Sequence, residues 1–472
     1  MRIPSLMVAL AIVLAIAPCT GSGAGIKTQL SVLNSFSGPD GAEPNGGLVA
    51  GPNGTLYGTT FYGGTNPVCA GCGTVYQLTP PPPMSNDPWT ETVIYSFGSN
   101  PDGAFPAAGL AIDAAGNLYG TTQYGGGACG ASAYGCGTVF ELSPPQGGQT
   151  NWVETVLYTF GGGTDGGLPA GATLLRDSQG NLYGASYYFG NQTLPACMPT
   201  PPPEQPNGCG LVYELSPPVG GAGGWTQTVL HTFTNSPDGA YPSAGVISDS
   251  AGNLYGVTAY GGTAGGEGTV YELSPPPGGQ SAWTEQTLFS FNFTDGYFPF
   301  DPLTPQAGGA AAGLFGTTRF GGTLCAGYAD GCGLVFSLNP PARGKKMWTE
   351  RVLHRFVGGG RDGATPVAGV LLDAEGELLG TTAFGGGGPC AVQHFPKGCG
   401  VAYLLSPPGK PNGKWKETIL HRFQNGSDGA FPDAGLIGDG QDNFFSTAPT
   451  SSGTDTSSLS GNDFQLSLHR GY

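Results

Sequence analysis

Positive charge is what this chain has least of. It carries 16 Lys and Arg against 32 Asp and Glu, a formal net charge of −16 over 472 residues. A protein that grips nucleic acid neutralises phosphates with a basic footprint, and none is available here, so no nucleic-acid partner is expected. An anionic membrane surface is disfavoured for the same reason. Histidine is scarce as well, with five residues, and neither a Gly-x-Ser-x-Gly elbow nor a His-Glu-x-x-His pair occurs. Two well-marked hydrolase signatures are therefore missing. Outside residues 6–17 no stretch approaches the roughly 18 apolar residues of a membrane span. No apolar pattern of helical period persists either. The apolar runs are short and rich in Val, Tyr, Phe and Thr, which is strand composition, so a nearly helix-free mature chain is expected.

Residues 6–17 belong instead to an export signal. Arg2 supplies the charged start and Ser22-Gly23-Ala24 the small residues for cleavage, expected near Ala24. Residues 1–24 are read as this leader and 25–472 as one domain. The mature protein is then secreted, periplasmic or at the cell surface.

What is plentiful is glycine (87) and proline (42). In an aperiodic chain that content would suggest disorder. Here both residues fall at fixed places in a repeat, between strand-like runs, and serve as turn chemistry. An Asp-Gly opener recurs at Asp40, Asp102, Asp165, Asp238, Asp295, Asp362 and Asp428. Tandem units of this size mean a repeat architecture. In the second unit four strands, a to d, are predicted over 109–112, 117–122, 137–142 and 152–160. An Asp-x-x-Gly turn joins a to b (Asp113 to Gly116, again at Asp177, Asp249 and Asp373), and Ser-Pro-Pro ends strand c.

Seven such units predict an all-β, seven-bladed propeller of four-stranded antiparallel blades. The chain ends fix its closure. A lone d-type strand, 28–36, precedes the first opener, and the last unit stops after a c-type strand at 463–468. Pairing these two closes the ring and covers a bare edge. All six Trp (89, 152, 225, 283, 348 and 415) begin strand d, and are expected to pack at blade edges over the Pro-rich loops.

Ten cysteines remain after the leader, in pairs that each bracket one b–c loop. The second of each pair lies just before strand c. Present or absent together, they predict five local disulfides in an oxidising compartment: Cys69–Cys72, Cys129–Cys136, Cys197–Cys209, Cys325–Cys332 and Cys390–Cys399. Zinc needs ligands that converge, and these pairs sit on different blades, so no metal or other cofactor is expected.

In this strand order the d–a and b–c loops open on one face. The seven opener Asp residues are then candidates for an acidic ring at the channel mouth, although each is first expected to cap its own turn. Phe105, Tyr241, Phe298 and Phe431 stand beside them, and Glu43, Leu168 and Thr365 take that place elsewhere. Carboxylates beside flat apolar faces suit a sugar ring and its hydroxyls. His231, His354 and His421 replace Tyr95 or Tyr158 of strand d and are read as core or edge substitutions, not a cluster. No catalytic residue is assigned.

The run Gly-Asn-Leu-Tyr-Gly-Thr-Thr (116–122), followed by Gly-Thr-Val-Phe-Glu-Leu (137–142), resembles the GloVer repeat of bacterial exported proteins, the choice-of-anchor tandem repeat group. The resemblance spans about residues 29–468. It implies an exported repeat protein, often with a C-terminal surface anchor, and brings no catalytic residues with it. Up to Tyr472 there is no sorting motif or apolar tail. The expectation is a monomeric, non-enzymatic binding or surface-interaction module whose partner is a polysaccharide, a cell-surface glycan or a protein. A carbohydrate-active hydrolase or lyase using loop-face Asp residues, and a structural envelope component, are the alternatives.

Overall fold

The structure is a computed structural model. It describes residues 26–127, 129, 134–169, 171, 173–193, 197, 208–221, 223–278, 282–322, 324–325, 328–342, 347–392, 394–410, 413–449 and 460–470. The expected leader, residues 1–24, lies outside them.

The sequence alternates short strand-forming runs with Gly and Pro, and the chain folds as seven antiparallel blades of four main strands around an axis, two of them widened by a short fifth strand from the opener (Gly167–Pro169 and Ala240–Pro242), with one further two-stranded pair, Gly363–Ala364 on Phe384–Gly385. In the second blade the strands are Ala111–Ile112, Leu118–Thr122, Thr138–Ser143 and Val153–Thr159. They are joined in that order. Burial follows position. Strand Leu118–Thr122 is buried on both faces, because neighbouring blades cover it from both sides. Val153–Thr159 alternates exposed and covered residues, as an outer strand with one solvent face does. No helix among the described residues is long and apolar enough to cross a membrane.

One glycine in strand b is dictated by packing. Gly120 pairs with Phe140 of strand c, and a Cβ there would come within 2.5 Å of the Phe140 ring. The ring lies over the glycine and reaches the blade before it, where Phe97 meets it edge to face at 5.1 Å. The same contact links every adjacent pair of blades, with centroids 4.9–5.3 Å apart: Phe36–Tyr76, Phe97–Phe140, Phe160–Tyr213, Phe233–Tyr271, Phe291–Phe336, Phe356–Tyr403 and Phe423–Phe464. Edge-to-face pairs add stabilisation beyond the area they bury.

The ring closes as the strand count predicts. Lys27–Phe36 pairs antiparallel with Gly461–His469, from Lys27 opposite His469 to Phe36 opposite Gly461. The last blade is thus completed by the first strand. Four tryptophans stand between blades, each against a strand-b aromatic of the preceding blade: Trp89 on Phe445, Trp152 on Tyr57, Trp348 on Tyr255 and Trp415 on Phe315. They therefore build blade interfaces, which the expectation of packing over Pro-rich loops did not include. All five disulfides form, with Cα–Cα distances of 4.9–5.7 Å.

Candidate functional site at the axial channel

Each opener carries its Asp carboxylate back into its own loop, where backbone N–H groups have no ladder to join. Asp102 accepts the Gly98 N–H at 2.9 Å and the Tyr95 hydroxyl at 2.8 Å. Asp165 accepts the N–H groups of Gly161 and Gly163, and Asp428 those of Gln424 and Gly426. Asp40 accepts the N–H and hydroxyl of Ser37, and Asp238 those of Thr234. Asp295 and Asp362 accept the N–H of Asn292 and Val357.

The fourth opener residue is left-handed in all seven units: Glu43, Phe105, Leu168, Tyr241, Phe298, Thr365 and Phe431 have φ of 49–60°. That conformation aims its N–H at the b–c loop of the preceding blade. Phe105 donates to the Cys72 carbonyl at 2.8 Å, Tyr241 to Cys209 at 2.7 Å and Phe431 to Cys399 at 2.9 Å. The disulfide loops and the openers therefore share one face. At the closure Glu43 donates to Ser460 at 3.1 Å. The opener aromatics join a wider aromatic belt. Phe105 meets Phe61 at 5.3 Å, Tyr241 stacks on Tyr187 at 5.3 Å, Phe298 stacks on Phe300 at 5.3 Å, and Phe431 meets Phe384 at 5.2 Å.

Inside this belt a cavity of about 360 Å³ opens on the axis, lined among others by Glu43, Asn45, Gln123, Ser243, Phe300, Asp301, Arg319, Phe384, Phe431 and Asp433. A second cavity of about 240 Å³ shares Asn45, Asp301, Val367 and Asp433 with it and continues along the Gly47, Gly109, Gly369 and Gly435 backbone. Of the opener residues singled out in the sequence, Glu43 and Phe431 line the first cavity. The seven opener carboxylates are not among its described lining residues.

The lining comes from positions where units differ. The residue after the opener Pro is Asn45, Ala107, Ala170, Ser243, Phe300, Val367 or Asp433, and the next is Gly or Ala in every unit but the fifth, which has Asp301. Residue 319, just past strand b, is an arginine where the second unit has Gln123 and the third Tyr187. Sequence reading tied to the shared pattern missed Phe300, Asp301, Arg319 and Asp433. Their signal was present as breaks in that pattern.

Charges here are held in poor solvent. Burial pushes the Asp301 carboxyl up to about 7, against the opposing pull of Arg319 and a hydrogen bond from the Thr317 hydroxyl at 3.3 Å. Asp433 is raised well above the usual carboxylate range, again by burial first. The Arg319 guanidinium lies 5.9 Å from the Phe300 ring centroid and 5.5 Å from that of Phe320. Arg319 Nε and Asp433 Oδ1 have no hydrogen-bond partner. The cavity thus offers an unspent donor, an unspent acceptor and flat apolar faces together.

The strand-d histidines also face the openers. His231 Nε2 lies 2.9 Å from Asp238, and His421 Nε2 lies 3.0 Å from Asp428. His354 Nε2 lies 3.5 Å from Asp362 and 3.7 Å from Glu417. Two of these are the paired edge groups of a repeated turn. His354 differs in having a second carboxylate beside it, that of Glu417.

A ring of seven blades with a polar, aromatic-rimmed axial mouth is the class that fold and site define. Residues 22–194 and 202–460 match the model of the Gloeobacter/Verrucomicrobia repeat, and the chain belongs to that family. No curated protein matches it. Among solved structures it is similar to a luciferin-regenerating enzyme, at 10% identity and a TM-score of 0.40 over 94% of this chain and 97% of that one. It is also similar to a fungal alcohol oxidase of the AA5 family in complex with copper, at 12% identity and a TM-score of 0.49 over 92% of this chain and 76% of that one.

Proposed function

We propose that the protein is an exported, non-enzymatic binding module that holds a carbohydrate at the mouth of its axial channel. The observation that carries this reading is the convergence of Phe300, Arg319, Asp301 and Asp433 on one cavity. A pyranose presents a flat apolar face and a rim of hydroxyls. The Phe300 and Phe384 rings can take the face, and the carboxyl and guanidinium groups the rim. Five disulfides suit an extracytoplasmic protein, and the N-terminal leader provides the export route. A glycan-array screen of the whole chain, repeated with Phe300→Ala, tests the reading. Retention of a defined glycan class by the parent and its loss in the variant support it. No retained glycan, or retention unchanged by the variant, contradicts it.

One observation favours a second reading. A carboxyl at about 7, as Asp301 has, gives up a proton near neutrality, which is what a general acid in glycoside cleavage needs. Sugar released from a polysaccharide by the parent, and abolished in Asp301→Asn, selects that reading over pure binding.

A further inference from the structure

We propose that His354, Asp362 and Glu417 form a binding site for one divalent transition-metal ion of the zinc type, clamping the fifth blade to the sixth. His354 stands on strand Thr349–Arg355 of the fifth blade and Glu417 on strand Lys416–Arg422 of the sixth. Asp362 lies in the opener between them. His354 Nε2 is 3.5 Å from Asp362 Oδ1 and 3.7 Å from Glu417 Oε1, and all three ligand atoms lie within 4.8 Å of one another. An ion bonded at about 2.0–2.2 Å in tetrahedral geometry holds its ligands about 3.4 Å apart, close to the two separations from His354.

Three further facts point to an ion. None of the three atoms makes a hydrogen bond of good geometry, although Asp362 is only 6% exposed. Two buried carboxylate oxygens set against each other need a shared proton or a shared cation between them, and an ion also engages the His354 nitrogen beside them. The other Asp362 oxygen is held by the Val357 N–H at 2.8 Å, which orients the carboxylate as a supporting bond does for a ligand. Two carboxylates with one imidazole also match a dication in charge, and suit zinc in donor type.

The repeat supplies its own controls. In the first and second blades the histidine position holds Tyr95 and Tyr158, whose hydroxyls bond Asp102 and Asp165 directly. At the third blade His231 bonds Asp238 at 2.9 Å, while Glu285 turns to the Thr287 hydroxyl at 3.0 Å. Gln227 replaces the glutamate in the third blade. Histidine, aspartate and an undiverted glutamate meet once among the described residues. The expectation of no metal weighed the cysteine pairs and the sequence-local metal motifs, and this trio is assembled only by the blade register.

The test uses the full chain, treated with a chelator and desalted, then titrated with ZnCl2 by calorimetry and thermal melting. His354→Tyr and Glu417→Gln install residues the repeat already carries at those places, so both variants are expected to fold. The parent is expected to bind one zinc per chain and to melt higher with it, with each variant binding at least tenfold more weakly and gaining no melting shift. Absence of zinc binding by the parent overturns the proposal, since the trio then shares a proton and not an ion. Binding that persists unchanged in both variants overturns it as well.

Discussion

The Tyr76 hydroxyl donates to Asp463 Oδ1 at 2.6 Å across 387 residues of sequence. Tyr76 belongs to strand c of the first blade and Asp463 to strand c of the last, so this bond spans the junction that closes the ring. The other blade junctions put Val75, Val139, Val212, Val270, Val335 or Ala402 where the last blade has Asp463. Tyr213, Tyr271 and Tyr403 occupy the place of Tyr76 elsewhere, and their buried hydroxyls have no hydrogen-bond partner.

That contrast gives opposite outcomes for one substitution. Tyr76→Phe removes from the fully buried Asp463 the hydroxyl bonded to its Oδ1 and is expected to cost about 1–3 kcal/mol. Tyr213→Phe removes a hydroxyl that bonds nothing, so it is expected to be neutral or to stabilise by up to about 1 kcal/mol. Phe140 and Phe336 already fill this place in the second and fifth blades. Urea unfolding of the two variants checks both signs.

Asp463 also sets a pH dependence. Burial pushes its carboxyl up to about 8, while the bond from Tyr76 works the other way. Glu91 nearby is pushed up to about 7, by burial first and then by Asp40. A raised folded pKa means the folded state keeps protons that the unfolded chain has released. The stability this contributes is full below about pH 4 and is lost as pH rises through about 8. For Asp463 the difference from the ordinary value of about 4 sets an upper bound of about 5 kcal/mol. The melting temperature is expected to fall between pH 5 and pH 9, and Asp463→Asn to flatten that fall. A parent that melts higher at pH 9 than at pH 5 contradicts this.

Two glycines of positive φ separate crowding from conformation. A Cβ on Gly103, in the second opener, would lie 2.2 Å from Thr122 Oγ1 and 2.6 Å from Thr138 Oγ1. Those hydroxyls are bonded to each other at 2.9 Å and are buried, so they cannot yield. Gly103→Ala is expected to cost about 2–3 kcal/mol. Gly116, in the a–b hairpin, has φ of 87° and only Pro144 Cγ near its Cβ direction, at 3.7 Å. Gly116→Ala meets the left-handed strain alone, about 1 kcal/mol. Parallel thermal melts of the two variants test the ordering.

The architecture was legible because each blade is one copy of a sentence and the ends of the chain complete it. Thr28, counted as part of a spare outer strand, sits opposite Leu468 in the last blade. The cysteine pairs were legible because both members flank one loop. The channel site was not, for a physical reason. A carboxylate that appears in every unit solves a problem every unit has, and Asp102 holds both the Gly98 N–H and the Tyr95 hydroxyl on Oδ2. A ligand on the axis is met by residues no unit needs for folding. Asp301 replaces a Gly or Ala, and Arg319 stands where the other units have Phe, Gln, Tyr, Ala or Pro, so both were irregularities within the repeat. His354 was hidden differently, since only the blade register brings Glu417 to it from 63 residues on.

The central claim is that ligand recognition resides in the irregular residues on the axis and not in the repeated opener carboxylates. Calorimetric titration of one oligosaccharide, taken from the glycan class the parent retains, into Arg319→Met and Asp102→Asn tests it most directly. Arg319→Met is expected to weaken binding at least tenfold and Asp102→Asn less than threefold, with both variants folded by circular dichroism. Equal loss in the two, or loss confined to Asp102→Asn, would contradict it.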